Sequence, residues 1–299
     1  MKTARCTASA VLAAALIAAL GCSRTPQERT VLVYAFDITP GQKGSDGREW
    51  KPDINKAVAA IDRRLNGAGY WNKAAGVRRV NDTTLEVRLW TTDPAVVARI
   101  DRRVMGLGSL EFRVLANDHD NPGNIEKGKA LKPDVNRLYS PKGKLVAWWL
   151  PVDPKSSKEF KYPEIARRTV TKNGQPELQV LVVADPFNVT GAYLTYVAAD
   201  IDQRGRPAVT FQFNSIGAKK FGGLTSTHLP DDATGFTRKL GIILDNKLFS
   251  APSIQSMIRD RGEITGSFTR YDVDDMVDVL NAGALPAPLK KVSERTGML

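Results

Sequence analysis

From Val209 to Leu289 the sequence runs through strand, cap and turn signals without an unassigned gap, and this stretch limits the fold more than any other. Val209 to Phe213 alternates apolar and polar residues with the two-residue period of a strand. Asn214 precedes a predicted helix from Ser215 to Leu224, with Phe221 and Leu224 three apart on one face. Leu240 to Leu244 predicts a buried strand, Asp245-Asn246 a tight turn, and Lys247 to Ala251 the returning strand of a hairpin. Glu263 to Gly266 predicts a further short strand. Thr269 sits where a helix cap belongs, with Asp272 in the capping-box position three residues on. The helix that follows would bury Val273, Met276, Val277 and Leu280, and Gly283, Pro286 and Pro288 would end it.

The beginning of the chain shows the same rhythm. Thr30 to Ile38 is apolar on both faces, which predicts a central, covered strand. Pro40 to Arg48 predicts a loop. A helix opening near Pro52 would bury Ile54, Val58, Ile61 and Leu65 and stop at Gly67 and Gly69. Val77 to Val80 and Thr84 to Trp90 flank a turn, and Asp93-Pro94 starts a helix that buries Val97, Ile100, Val104 and Leu107. Ser109 to Leu115 closes the series. Strand, helix, strand, strand, helix, strand is the ferredoxin-like βαββαβ order, and the stretch from Val209 repeats it. The expected fold class is therefore α+β: two ferredoxin-like βαββαβ halves, residues 30–115 and 207–292, form a base. Residues 116–206 would be an inserted α/β head subdomain and 293–299 a tail. Within the insert, Leu145 to Leu150 and Leu178 to Ala184 are strand candidates, whereas Asn117 to Pro133 is polar and turn-rich.

Five segments carry a resemblance. They are Gly217-Ala218-x-x-Phe221-x-x-Leu224-Thr225, Ile242-x-Leu244-Asp245, Ser250-Ala251-Pro252-x-Ile254, Gly262-x-Ile264-Thr265-Gly266-x-Phe268-Thr269, and Asn281 to Leu289 with its Ala-Gly-Ala-Leu-Pro core. In that order they resemble the SecD family of protein-export subunits. Ala60-Ile61-x-x-Arg64-Leu65 before Gly76-Val77, Gly106-x-Gly108-x-Leu110-Glu111-Phe112-Arg113, and Val189-Thr190-Gly191-x-x-Leu194 extend the likeness. The glycine-rich opening that the family has after its anchor is not matched by Ala35-Phe36-Asp37-Ile38. The resemblance implies structural roles for Gly217, Phe221, Asp245, Pro252, Gly266, Gly283 and Pro286. It implies a non-enzymatic accessory factor of Sec-dependent export that binds unfolded preprotein on the outer side of the cytoplasmic membrane. Its implied partners are the Sec translocon or SecF-like membrane subunits. The family's proton-coupled helices have no counterpart up to Leu299, so energy coupling is expected from a partner. The competing expectation is a stand-alone envelope lipoprotein that uses the same fold as an interaction module for another partner, because fold does not fix function.

Lys2 and Arg5 precede a charge-free run from Cys6 to Ser23. A basic start and a short apolar centre predict a secretory signal, and Ala19-Leu20-Gly21-Cys22-Ser23 resembles a bacterial lipobox, which implies a lipoprotein-type signal peptide over 1–21, Cys22 as the lipid attachment point and 22–29 as a tether. An uncleaved anchor helix is the alternative. The expected location is the cell envelope, lipid-anchored to a membrane and facing the periplasm. Cys6 and Cys22 are the two cysteines, so no disulfide is expected and the core alone must stabilise the fold. A net charge of +11 favours an anionic membrane surface over nucleic acid, since no basic run is interleaved with aromatics.

Catalytic signatures are missing: there is no Gly-x-Ser-x-Gly, no phosphate loop and no His-Glu-x-x-His, and two histidines limit acid–base chemistry. No enzyme activity, cofactor or metal is expected. Asn117-Asp118-His119-Asp120 offers oxygen ligands without an established cation-loop spacing, and His228 falls in a polar loop. Asp272, Asp274, Asp275 and Asp278 form an acidic helix face, readable as helix chemistry or as a docking face. Trp148, Trp149, Phe187 and Tyr193 are the candidate preprotein contacts; adjacent tryptophans on a strand point to opposite faces, so at least one of the pair belongs to a core.

Overall fold

A computed structural model describes residues 28–38, 41, 49–67, 74–157, 160 and 162–298. The expected signal peptide, Cys22, most of the tether and most of the 40–48 loop lie outside them. The first elements are β1 (Glu28–Phe36), α1 (Ile54–Gly67), β2 (Ala74–Arg79), β3 (Thr84–Leu89), α2 (Pro94–Met105) and β4 (Leu110–Val114). There follow α3 (Pro122–Lys129), β5 (Arg137–Tyr139), β6 (Leu145–Pro151), β7 (Arg167–Lys172), β8 (Gln175–Val183) and β9 (Val189–Thr190). After one tight helical turn at Gly191–Tyr193 come β10 (Leu194–Ile201), β11 (Pro207–Phe213), α4 (Ser215–Ser226), β12 (Leu240–Leu244) and β13 (Lys247–Ser250). The series ends with β14 (Arg261–Ile264), α5 (Arg270–Ala282) and β15 (Leu289–Met298).

The local signals act as their chemistry requires. Asp93 accepts a hydrogen bond from the Ala95 amide, and Thr269 and Asp272 form the reciprocal capping box of α5. Asp245 and Asn246 both take positive φ, 52° and 59°, which is what a two-residue hairpin with matching twist needs.

The strands pair as β15-β1-β3-β2, β10-β11-β14, β13-β12-β4-β9 and β5-β6-β8-β7. The class is mixed α and β with antiparallel sheets, but two self-contained βαββαβ halves are not formed. β4, expected to close the first half, pairs with β12 and β9 instead. The place beside β1 is taken by β15 along the whole length from Glu28↔Met298 to Phe36↔Leu289. Residues 293–298 are therefore strand, not tail. Side-chain chemistry accounts for the exchange. β4 is buried at four of its five positions, which suits a central strand, while β15 is exposed at seven of its ten, which suits an edge.

The insert is shorter than its expected span of 116–206. β9 pairs with β4 and β10 with β11, so the chain is back among the base strands at Val189 rather than 207. The head sheet, β5 to β8, docks on the base through one shared apolar cluster. Leu115, Val152, Phe160 and Val182 meet Ile243, Leu248 and Ala251 there. Two larger cores lie under the base sheets, one around Leu32, Tyr34, Ile61, Leu85 and Ile100, the other around Phe112, Phe211, Phe213 and Phe221.

Candidate functional site

The ends of three helices meet where the two base cores join. α2 and α5 each finish with unpaired carbonyls that carry partial negative charge. Arg64 of α1 is fully buried and points its guanidinium at these ends. It donates to the carbonyls of Arg103 at 3.0 Å, Leu107 at 3.2 Å and Gly283 at 3.0 Å, and closely to that of Gly106. Its neighbour Arg63 donates twice to the Ala282 carbonyl, at 3.2 and 2.8 Å. Burial pulls the Arg64 guanidinium down to about 10, still charged at neutral pH. Gly108 has φ +74°, and a Cβ there would come within 2.9 Å of both Arg64 Nη2 and Val279 Cγ1. Only glycine fits.

The same short loop is gripped from its other side by Asp245. One carboxylate oxygen accepts from the Leu107 amide and the other from the Ser109 amide, both at 2.9 Å. Burial pushes this carboxyl above its ordinary range, although those amides and Arg64 oppose the change. Loop 106–109 is thus held by its carbonyls through Arg64 and by its amides through Asp245. Arg103, itself buried, adds a third tie: its Nε lies 2.6 Å from Asp275 Oδ1 and its Nη1 2.7 Å from Asp278 Oδ2.

Beside this clasp lies a cleft of about 250 Å³, bounded by the end of α2, the β12–β13 hairpin, α5 and head residues 153–156. Its floor is apolar, with Phe249, Phe268 and Met276, and its rim is charged, with Arg102, Lys155 and Asp272. Lys155 of the head reaches Asp272 of the base at 2.6 Å. A second head–base tie joins Asp120 to both ends of the Arg238 guanidinium at 2.7 and 2.8 Å. Arg238 holds the Asp120 carboxyl well below the usual range. His119 stacks on Phe236 with centroids 4.9 Å apart, between Asp120 and Asp231.

The cleft lies just under the roughly 300–1,000 Å³ of small-molecule sites. An apolar floor under a charged rim suits a side chain or two of an extended polypeptide. The Asn117–Asp120 segment is occupied as a protein contact, because Asp120 belongs to Arg238. Among the described residues no group of three His, Cys, Asp or Glu could hold a metal ion.

The expected contact residues scatter. Trp149 is corrected to core: it is 2% exposed and its indole donates to the Gly128 carbonyl at 3.0 Å, so no incoming chain can touch it. Trp148 is half-buried, with the Arg113 guanidinium 5.6 Å from its ring centroid. Phe187 and Tyr193 are half-buried against α4, over Gly223 and Gly217 respectively. None of these four lines the cleft. Gly217 is required because a Cβ would lie 2.5 Å from that of Tyr193, and Gly266 because the Phe268 ring packs onto it. Phe221 joins the ring cluster with Phe112, Phe211 and Phe213. The Pro252 carbonyl accepts from Leu240, Gly283 ends α5 at φ +85°, and half-buried Pro286 leads toward β15.

The acidic helix face is consumed within the fold: Asp272 meets Lys155, Asp274 meets Arg270 at 3.5 Å, and Asp275 and Asp278 meet Arg103. Sequence reasoning missed Arg64 and Arg103 as organisers. The signal was there, since each is an arginine set within the apolar stripe of its helix.

A family model of the SecDF P1 head subdomain matches residues 165–287. A protein translocase subunit SecD from Elusimicrobium minutum is 43% identical over 249 residues, 81% of this chain and 46% of the relative. Another from Rickettsia prowazekii is 40% identical over 117 residues, 39% of this chain and 21% of the relative. The chain thus spans less than half the length of these curated relatives. A crystal structure of SecDF in its super-membrane-facing form aligns with 91% of this chain and 30% of its own, with TM-score 0.58 and 21% identity. A structure of a membrane component SecDF that enhances protein export aligns over 89% of this chain and 99% of its own, with TM-score 0.55 and 21% identity. These two likenesses concern the fold.

Proposed function

Over most of its length the chain belongs to the SecD family, as the counterpart of that family's periplasmic domain, and on that premise we propose that it is a non-enzymatic accessory factor of Sec-dependent protein export. It binds unfolded preprotein on the outer side of the cytoplasmic membrane, beside the Sec translocon or SecF-like membrane subunits. Lipidated Cys22 holds it in the envelope with the described residues facing the periplasm. The observation that carries this reading is the 43% identity to a translocase subunit across 81% of the chain. The clasp around Arg64 supports it by fixing α1, α2 and α5 to one another, which gives a gripping head a firm seat. Preprotein side chains enter the cleft over Phe249 and Phe268 and pass along Trp148, Phe187 and Tyr193.

A photocrosslinker placed at Phe249, Trp148 or Tyr193 in cells tests the reading. Arrested secretory precursors should be captured from at least one position. Capture of an unrelated envelope protein alone would overturn export and favour the second reading, a stand-alone interaction module.

A further inference from the structure

The sheet β15-β1-β3-β2 packs one face against α1 and α2. Leu32, Tyr34 and Phe36 of β1, with Leu85, Val87 and Leu89 of β3, point into the core shared with α1 and α2. Alternation sends Arg29, Val31, Val33 and Ala35 to the opposite face. Register places Arg88 opposite Val31, Glu86 opposite Val33 and Arg78 opposite Glu86. On the β15 side, Arg295 stands opposite Val31 and Lys290 opposite Ala35. Among the described residues the helices in contact with this sheet, α1 and α2, share the core on its other face.

Its charge is one-sided. Arg29, Arg78, Arg88, Lys290 and Arg295 stand against two carboxylates, Glu86 and Asp37. Arg78 and Arg88 already hold Glu86, at 2.9 and 2.6 Å, and Asp37 lies 3.5 Å from Lys290. Glu86 and Val31 are 5% and 6% exposed, while the Arg78 and Arg88 side chains that hold Glu86 stay 57% and 44% exposed. Trp90, 39% exposed, sits at one end with the Arg29 guanidinium 3.6 Å from its ring centroid. Cations with an interfacial tryptophan are the chemistry of a bilayer surface.

The sequence adds a constraint on place. Cys22, at the end of the charge-free run, is six residues from Glu28 at the start of β1. Extended chain of that length reaches at most about 20 Å. Whether the run ends in a lipid or an anchor helix, this sheet is the part of the described protein closest in sequence to the membrane.

We propose that the open face of this sheet docks flat on anionic phospholipid, through Arg29, Arg78, Arg88, Arg295 and Trp90. The docking concerns how the protein lies on its membrane and stands apart from what it does in export.

The test uses the full chain attached to phosphatidylcholine vesicles, with and without phosphatidylglycerol, carrying a headgroup spin-labelled lipid. The readout is quenching of Trp90 fluorescence, taken as the difference from Trp90→Phe. Quenching should appear with phosphatidylglycerol and disappear at raised salt. R29Q/R78Q/R295Q leaves Arg88 on Glu86. Each cation near such a surface is worth about a fivefold factor, so this variant should weaken docking about a hundredfold. A variant losing equal charge from the head, K127Q/K129Q/K142Q, should behave as wild type. An unchanged circular dichroism spectrum separates lost docking from lost fold. Equal quenching in both lipids, or equal loss in the head variant, would overturn the proposal. Lack of quenching in any lipid would also overturn it and leave the face to a protein partner.

Discussion

Arg64 satisfies carbonyls that are supplied by helices starting far apart in the chain, and no other residue type could reach four of them from one planar head. Arg64→Met should cost about 3 kcal/mol or more in urea unfolding, since several buried carbonyls lose their donor at about 1–3 kcal/mol each. Arg64→Lys should recover only part of that. Asp245→Asn turns one acceptor into a donor facing an amide and should cost about 1–3 kcal/mol by the same measurement. Its pH dependence has a definite sign. The Asp245 carboxyl titrates higher in the folded protein than in the unfolded chain, so its contribution is full below the unfolded value of about 4. The advantage of wild type over Asp245→Asn should therefore shrink as pH rises through the raised folded value. The turn role of Asp245 was legible in the sequence, because its signal is local. That of Arg64 left only the trace of an arginine set within an apolar stripe, as its acceptors lie 39 to 219 residues away.

Helices and strands whose periodicity was apolar were readable, among them β6, β8, β11, β12 and α5. Polar edges such as β5 and β7 were not, because three residues around one buried Leu138 are too few to show a period and β7 buries no residue fully. α5 is the element best specified by its own residues. Thr269→Ala removes half of its capping box and should lower stability by about 1 kcal/mol, read from the thermal midpoint. α4 depends instead on close approach. Gly217→Ala would drive a methyl against the Cβ atoms of Tyr193 and Phe213 and should cost about 1–3 kcal/mol, with Tyr193→Gly partly relieving it in the double variant.

At the level of the molecule, the base is made by exchange: the strand that follows α2 completes one sheet and the strand that follows α5 completes another. A repeat of βαββαβ order could be read from the sequence, but partner choice could not, because hydrogen-bonding edges are identical in kind and only burial selects among them. Removing residues 289–298 should speed amide exchange through β1 while β12 keeps its protection, and should promote self-association by baring an edge. Unaltered protection in β1 would show that β15 adds little. The antiparallel register also has a mechanical side. Glu28 lies opposite Met298, so tension applied between these two ends would load their ladder one rung at a time, like a zip. A pull along that line would peel open the first sheet at low force before it strained the aromatic interior or the seat of the head.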